Sequence, residues 1–197
     1  YFYRTRTIIH VQRSFIIVEK EPKHAFAPSF LWLMVGQRQP EQIVCELRQI
    51  VRPGVEIIQG EVNQIDLANR RVIADATNVT YDYLIIALGT KLAPEMIPGL
   101  SEGAHTFYTF EGAKRLKEAL PSFKAGTIAI VVSAVPYKCP GAPHEGAMLI
   151  ADFFRQLGLQ NQVKIEMFTP EPQPMPVAGP ELGNAVRQML ESKGIAF

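Results

Sequence analysis

The 197-residue chain has room for one domain or two small α/β units, and its 47% hydrophobic residues are enough to build a core. Twenty Lys+Arg balance nineteen Asp+Glu to a formal net charge of +1, with no basic stripe or charge block, which argues against nucleic acid and acidic partners. No apolar run reaches the ~18–20 residues that span a bilayer, YFYRTRTIIHVQRS carries no signal-peptide pattern, and two distant cysteines with four scattered histidines argue against a disulfide scaffold or zinc.

In chain order, FIIVEK (15–20) reads as a short buried strand ending in an acid. Residues 21–40 are punctuated by Pro22, Pro28, Gly36 and Pro40 and read as a long connection. PEQIVCELRQIV (40–51) places apolar residues at 43, 44, 47, 50 and 51, a spacing that predicts an amphipathic helix with Cys45 as a packed thiol. Residues 55–80 predict several short strands, with turns at Asn69-Arg70 and Ala76-Thr77-Asn78. YDYLIIALG (81–89) predicts a fully buried strand, and 91–105 a Pro- and Gly-rich linker. The remainder alternates: helix 111–120, strand 127–132, helix 144–158 ending at Gly158, strand 163–170, helix 181–194 and a strand beginning at Ile195. Such alternation predicts a parallel sheet, while the first half mixes strand, helix and β-meander. The domain expectation is a partial nucleotide-binding domain over 1–100 and a second Rossmann-like domain over 101–197.

Three places carry chemistry. Glu19 ends a strand where a dinucleotide fold places a ribose-binding carboxylate, yet no glycine-rich fingerprint precedes it. Taken alone, it reads as a solvated strand end. At Ala87–Gly89 a glycine lets the backbone approach a ligand, although taken alone it reads as a plain turn glycine after a strand. In PYKCPGAPHEG (136–146) a thiol, Cys139, occupies a strand-to-helix turn beside Lys138, where a cation and a helix N-terminus both favour thiolate. Glu145 follows in the first helical turn, where a carboxylate complements the dipole. His144 reads as a capping or surface residue, and Phe30, Trp32 and Leu33 as core. The turn lacks the glycines a nicotinamide dinucleotide needs, so no NAD(P) binding is expected.

IIVEK, HAFAPSFLWLMVG, GEV (60–62), YDYLIIALGT and YKCPGAPHEGAMLI together resemble sulfide:quinone oxidoreductase and the flavoprotein subunit of flavocytochrome c sulfide dehydrogenase. These are two-dinucleotide-binding-domain flavoproteins. The resemblance runs from about Phe15 to the C-terminus, in order, and the Lys138-Cys139 turn is its most specific part. It implies an α/β, FAD/NAD(P)-binding Rossmann-like fold, incomplete in this chain, with a parallel sheet plus β-meander. It implies FAD held by Glu19 with its neighbour Lys20, by Val62, and by Ala87 and Gly89. It implies a redox role for Cys139 and proton transfer by Glu145, with no metal. Sulfide would be the donor, a quinone or cytochrome the acceptor, and the location cytoplasmic or peripheral to a membrane.

Against the family pattern, the first strand with its phosphate-binding glycines, the second redox cysteine and the membrane-docking segment are missing. With a first residue that is not Met, this is the expectation for an internal fragment or a truncated or frame-damaged product. The alternatives are another flavoprotein of the pyridine-nucleotide-disulfide type, such as a type II NADH dehydrogenase, or a non-catalytic remnant.

Overall fold

A computed structural model describes residues 14–197. The elements run β1 (Phe15–Glu19), β2 (Lys23–Ala25), α1 (Phe30–Met34), β3 (Val44–Glu46), α2 (Leu47–Ile50), β4 (Val55–Gln59), β5 (Val62–Asp66), β6 (Arg71–Ala74) and β7 (Thr77–Thr80). They continue with α3 (Leu100–Gly103), α4 (Phe110–Ala119), β8 (Gly126–Val131), α5 (Ala142–Gln156), β9 (Val163–Phe168), α6 (Pro180–Ser192) and β10 (Ile195–Ala196). Two compact units result: residues 14–24 with Val44–Ala87, and Ala25–Ile43 with Leu88–Phe197.

In the first unit, β1 and β4 pair in parallel, in register from Phe15↔Val55 to Glu19↔Gln59. β5, β6 and β7 form the antiparallel meander that the sequence predicts. The turn between β5 and β6 closes on Asp66, whose carboxylate accepts the Asn69 backbone and side-chain N–H groups at 3.0 and 2.8 Å. Arg70 takes the left-handed conformation there, at φ 48°.

The second unit is built on a parallel sheet of order β10-β9-β8, with β8 and β9 in register from Gly126↔Val163 to Val131↔Phe168. From residue 110 onward its strands and helices fall where the alternating sequence pattern puts them, apart from end shifts of one or two residues, whereas β2 and α1 form inside 21–40, read from the sequence as a long connection, and α3 inside the 91–105 linker. Helices α4, α5 and α6 bury the stripes Ala113/Leu116, Ala147/Ile150/Phe154 and Val186/Leu190. Thr109 caps α4 by accepting the Gly112 N–H at 3.0 Å. Helix α1 packs on α4, with the Phe30 and Phe110 rings 6.0 Å apart and Leu33 and Met34 fully buried.

Three expectations are corrected. Residues 40–51 are not one helix. A 3-10 turn over Pro40–Gln42 ends at Ile43, and the chain then extends as β3 beside β2. The Ile43 carbonyl accepts Phe26 N–H at 2.8 Å and Leu47 N–H donates to Pro22 O at 2.9 Å, so backbone pairing overrides the side-chain spacing. Cys45 is half-buried on this strand. Second, β1 forms but is open: Phe15 is 62% exposed, and within the described residues β1 pairs only with β4. Third, residues 81–93 form no strand, and Tyr83, Ile85 and Leu88 lie exposed. An apolar run becomes a buried strand only when a neighbour supplies its hydrogen bonds, and no described strand does so here.

Candidate functional site

In the second unit, the chain leaves β8 at the C-terminal edge of the parallel sheet, turns through Tyr137–Gly141 and enters α5. Cys139 sits in that turn as a free, exposed thiol with φ 53°, a left-handed conformation uncommon outside glycine. Its carbonyl accepts the Ala142 N–H at 3.0 Å and the Tyr108 hydroxyl at 3.3 Å. Tyr108 stacks on Phe107 at 5.3 Å, and Phe107 lies against Gly146 of α5. A Cβ at Gly146 would come within 3.1 Å of the Phe107 ring, so glycine there lets this pair approach the helix. Glu145 is exposed in the first turn of α5, its backbone N–H bonded to Gly141 O.

The sequence reading missed three partners of this turn. The Tyr137 hydroxyl donates to Glu171 Oε2 at 2.7 Å and lies 3.4 Å from Pro140 O. Glu171 stands just past β9, and its own N–H donates to Thr169 Oγ1 at 3.2 Å. His144, expected at the surface, is 2% exposed. It lies on the stripe that continues as Ala147, Ile150 and Phe154, a spacing that already marks it as inward-facing. Its Nδ1 is 3.1 Å from Pro140 O; a carbonyl only accepts, so Nδ1 carries the proton. Nε2 is buried, with no hydrogen-bond partner among the described residues. Burial holds the His144 pKa below the usual value, with the Pro140 bond and the Glu171 charge opposing. Burial raises the Tyr108 phenol, with the adjacent Cys139 sulfur adding to it; at Tyr137 burial comes first and the Glu171 bond next.

Glu171 and the end of β9 also face a cleft of about 710 Å³, lined by Val132, Ser133, Phe168, Arg187 and Phe197 among others. The Arg187 guanidinium lies over the Phe197 ring at 4.6 Å. The C-terminal edge of a parallel sheet is where open α/β folds place ligands.

In the first unit, the corresponding edge brings three of the sequence-derived residues together. Glu19 ends β1, and its Oε1 accepts Glu21 N–H at 3.0 Å. The Glu19 carbonyl accepts Gly60 N–H at 3.1 Å, which places Glu61 and Val62 beside it as β5 begins. Lys20 Nζ is 3.9 Å from Glu61 Oε1. Asp75 braces the turn, bonding Glu61 N–H through Oδ2 at 3.2 Å, and a Cβ on Gly60 would strike that oxygen. Ala87 closes this unit on the exposed, irregular 81–93 segment, and Gly89, with φ 69° and open space about it, follows on the same segment in the second unit. No group of three or more His, Cys, Asp or Glu able to hold a metal occurs among the described residues.

Residues 11–197 match the family model described as pyridine nucleotide-disulphide oxidoreductase. The mitochondrial sulfide:quinone oxidoreductase of Mus musculus is 29% identical over 155 residues, covering 76% of this chain and 34% of that protein. The sulfide-quinone reductase of Aquifex aeolicus is 28% identical over 159 residues, covering 79% and 37%. The chain therefore spans little more than a third of these relatives' length. Among solved structures, the sulfide:quinone oxidoreductase of Aquifex aeolicus superposes with a TM-score of 0.78 at 22% identity, over 93% of this chain and 44% of that one. NDH2 from Plasmodium falciparum in complex with NADH gives 0.69 at 16%, over 93% and 42%. The fold is thus the α/β fold of FAD/NAD-binding flavoproteins, and the matched family and these neighbours are FAD-binding. By its sequence over nearly its whole length, and in agreement with its fold, the chain belongs to the pyridine nucleotide-disulphide oxidoreductase family.

Proposed function

We propose that this chain is the flavin- and thiol-bearing part of an oxidoreductase that takes electrons from sulfide and passes them through FAD to a quinone. The observation that carries this reading is Cys139: an exposed free thiol, in a left-handed turn, between the C-terminal end of a parallel strand and the start of a 15-residue helix. A buried structural thiol would be inert; an exposed one at a helix N-terminus is suited to nucleophilic chemistry.

The residues present fit FAD at its adenosine end. Glu19 offers an accessible carboxylate to a ribose diol, and the backbone at Val62 stands beside it for the adenine edge. Lys20 adds a cation, Ala87 an exposed small residue, and Gly89 a backbone with open space about it. When bound, FAD supplies a two-electron acceptor. Cys139 holds the sulfur being oxidised. In net terms, a Cys139 thiolate and a hydrosulfide ion become a persulfide anion, releasing one electron pair and one proton. Glu145, on the first turn of α5, takes that proton; a quinone that accepts the pair with two protons becomes a quinol. A cytochrome would take the same electrons singly. The stretch 1–100 is the flavin-holding part and 101–197 the thiol-bearing part. Among the described residues no helix is long and apolar enough to cross a membrane, and peripheral attachment suits a quinone acceptor.

A second reading, oxidation of a reduced nicotinamide nucleotide, is favoured by the cleft at the C-terminal edge of β8 and β9, where Glu171 stands as an acid at a strand end. One titration separates the two. The purified chain loaded with FAD is expected to be yellow and to bleach on anaerobic addition of sulfide. Bleaching by NADH alone selects the second reading. Protein that stays colourless with added FAD rejects both for this chain.

A further inference from the structure

We infer that Tyr108, Tyr137 and His144 are positioning residues that hold the Cys139 turn in its reactive shape, a role that rests on the redox reading of Cys139. Two successive carbonyls of the turn, those of Cys139 and Pro140, are held by Tyr108 and His144, and the turn's own Tyr137 is tied to the end of β9 through Glu171. Tyr108 donates to Cys139 O at 3.3 Å from the segment before α4. His144 donates from Nδ1 to Pro140 O at 3.1 Å from inside α5. Tyr137, within the turn, spends its single hydroxyl proton on Glu171, past β9, at 2.7 Å, which ties the turn to that strand end.

The turn needs holding. Cys139 sits at φ 53°, a conformation unfavourable for a non-glycine residue that persists only where its surroundings impose it. His144 supplies the second, independent sign. Its ring is 2% exposed, and among the described residues the buried Nε2 has no hydrogen-bond partner, a costly arrangement that an apolar side chain on this stripe would avoid. Packing therefore does not account for a histidine here. Its stacking on Phe197, at 5.9 Å, orients the ring, and the one bond it makes goes to the carbonyl next to the thiol residue. The anchor of Tyr137 links the turn to the cleft through Glu171, which lines it.

The test compares the two native thiols. Cys139 and the half-buried Cys45 are labelled with iodoacetamide in the 197-residue chain, and each rate is read by peptide mass spectrometry. His144→Phe keeps an aromatic ring and removes the Nδ1 donor; Tyr137→Phe and Tyr108→Phe remove only a hydroxyl. In each variant, Cys139 labelling is expected to slow at least about threefold while Cys45 keeps its rate, a difference of roughly 0.65 kcal/mol in barrier. His144→Asn, whose amide N–H replaces the Nδ1 donor, is expected to recover most of the Cys139 rate. An unchanged or faster Cys139 rate overturns the inference. So does a parallel change at Cys45, which signals general loosening, or a failure of His144→Asn to rescue. Labelling needs neither sulfide nor flavin. A positive result alongside a Cys139→Ser variant that still bleaches with sulfide would retain the clamp and remove the redox reading.

Discussion

Tyr137 and Glu171, 34 residues apart in sequence, meet in a 2.7 Å hydrogen bond that ties the thiol turn to the end of β9. Burial and this bond keep the phenol protonated in the folded chain well above its ordinary pKa of 10.0, and burial does the same for Tyr108. The unfolded chain ionises both near that ordinary value, so it binds fewer protons than the fold above it. The stabilisation is complete below pH 10.0 and is lost as pH rises through the folded-state values. Thermal melting is therefore expected to fall steeply above that pH. The Tyr108→Phe/Tyr137→Phe double variant should flatten the fall, whereas an equally steep curve in the variant would show that these phenols do not cause it.

His144 works in the opposite direction. Burial depresses its folded pKa below 6.5, although the Pro140 carbonyl and Glu171 pull it back. Below pH 6.5 the unfolded chain takes up the proton first, so this contribution is present above that pH and is lost as pH falls through the folded value. Melting curves from pH 7 to 5 should show an acid-side decline that His144→Phe reduces.

Removing the carboxylate of Glu19 takes away a charged acceptor proposed for the FAD ribose. Hydrogen bonds to charged groups are worth ~1.5–3 kcal/mol, so Glu19→Ala is expected to weaken FAD binding about 10- to 100-fold. Flavin fluorescence titration measures this directly, and an unchanged Kd would remove Glu19 from the site.

At the thiol, Cys139→Ser should abolish sulfide-dependent bleaching while leaving FAD affinity intact. Glu145→Gln should slow bleaching on the order of 100-fold, the lower end for loss of a proton-transferring group. Stopped-flow absorbance under anaerobic conditions separates the two variants. A Glu145→Gln rate equal to that of the parent would return this residue to a helix-end charge.

Gly112 makes a pure packing prediction. A Cβ there would run into the Thr106 carbonyl oxygen and come within 2.8 Å of Thr109 Oγ1, the cap of α4. Gly112→Ala is expected to destabilise the second unit by about 1–3 kcal/mol, read from urea denaturation.

The second half of the fold was legible because its signals are local. Helix α5 announces itself by a stripe from Ala147 to Phe154 and a stop at Gly158, the strand before it is a mostly apolar run, and the strand after it alternates with Val163, Ile165 and Met167 buried. Residues 40–51 deceived because Ile43, Val44, Leu47 and Ile50 fit helical spacing equally well, while the deciding bonds come from Phe26 and Pro22, some 20 residues away. The 81–89 run deceived for a related reason: composition marks an apolar segment, and pairing alone makes it a strand. At the site, the thiol and the strand-end acid were visible as residue types in a recognisable order. The bond between Tyr137 and Glu171 left no trace in any short window. His144 did leave one, since it stands in step with the buried face of α5.

The open side of β1 has a practical consequence. Among the described residues, Phe15, Ile16 and Ile17 are exposed along a parallel pair, and within the same unit Tyr83, Ile85 and Ile86 are exposed in a segment that pairs with no described strand. Backbone groups and greasy side chains presented together recruit whatever extended peptide arrives first. Overexpressed by itself, the polypeptide should draw chaperones and drift into inclusion bodies, and a solubilising fusion or a peptide supplied in trans would be the remedy.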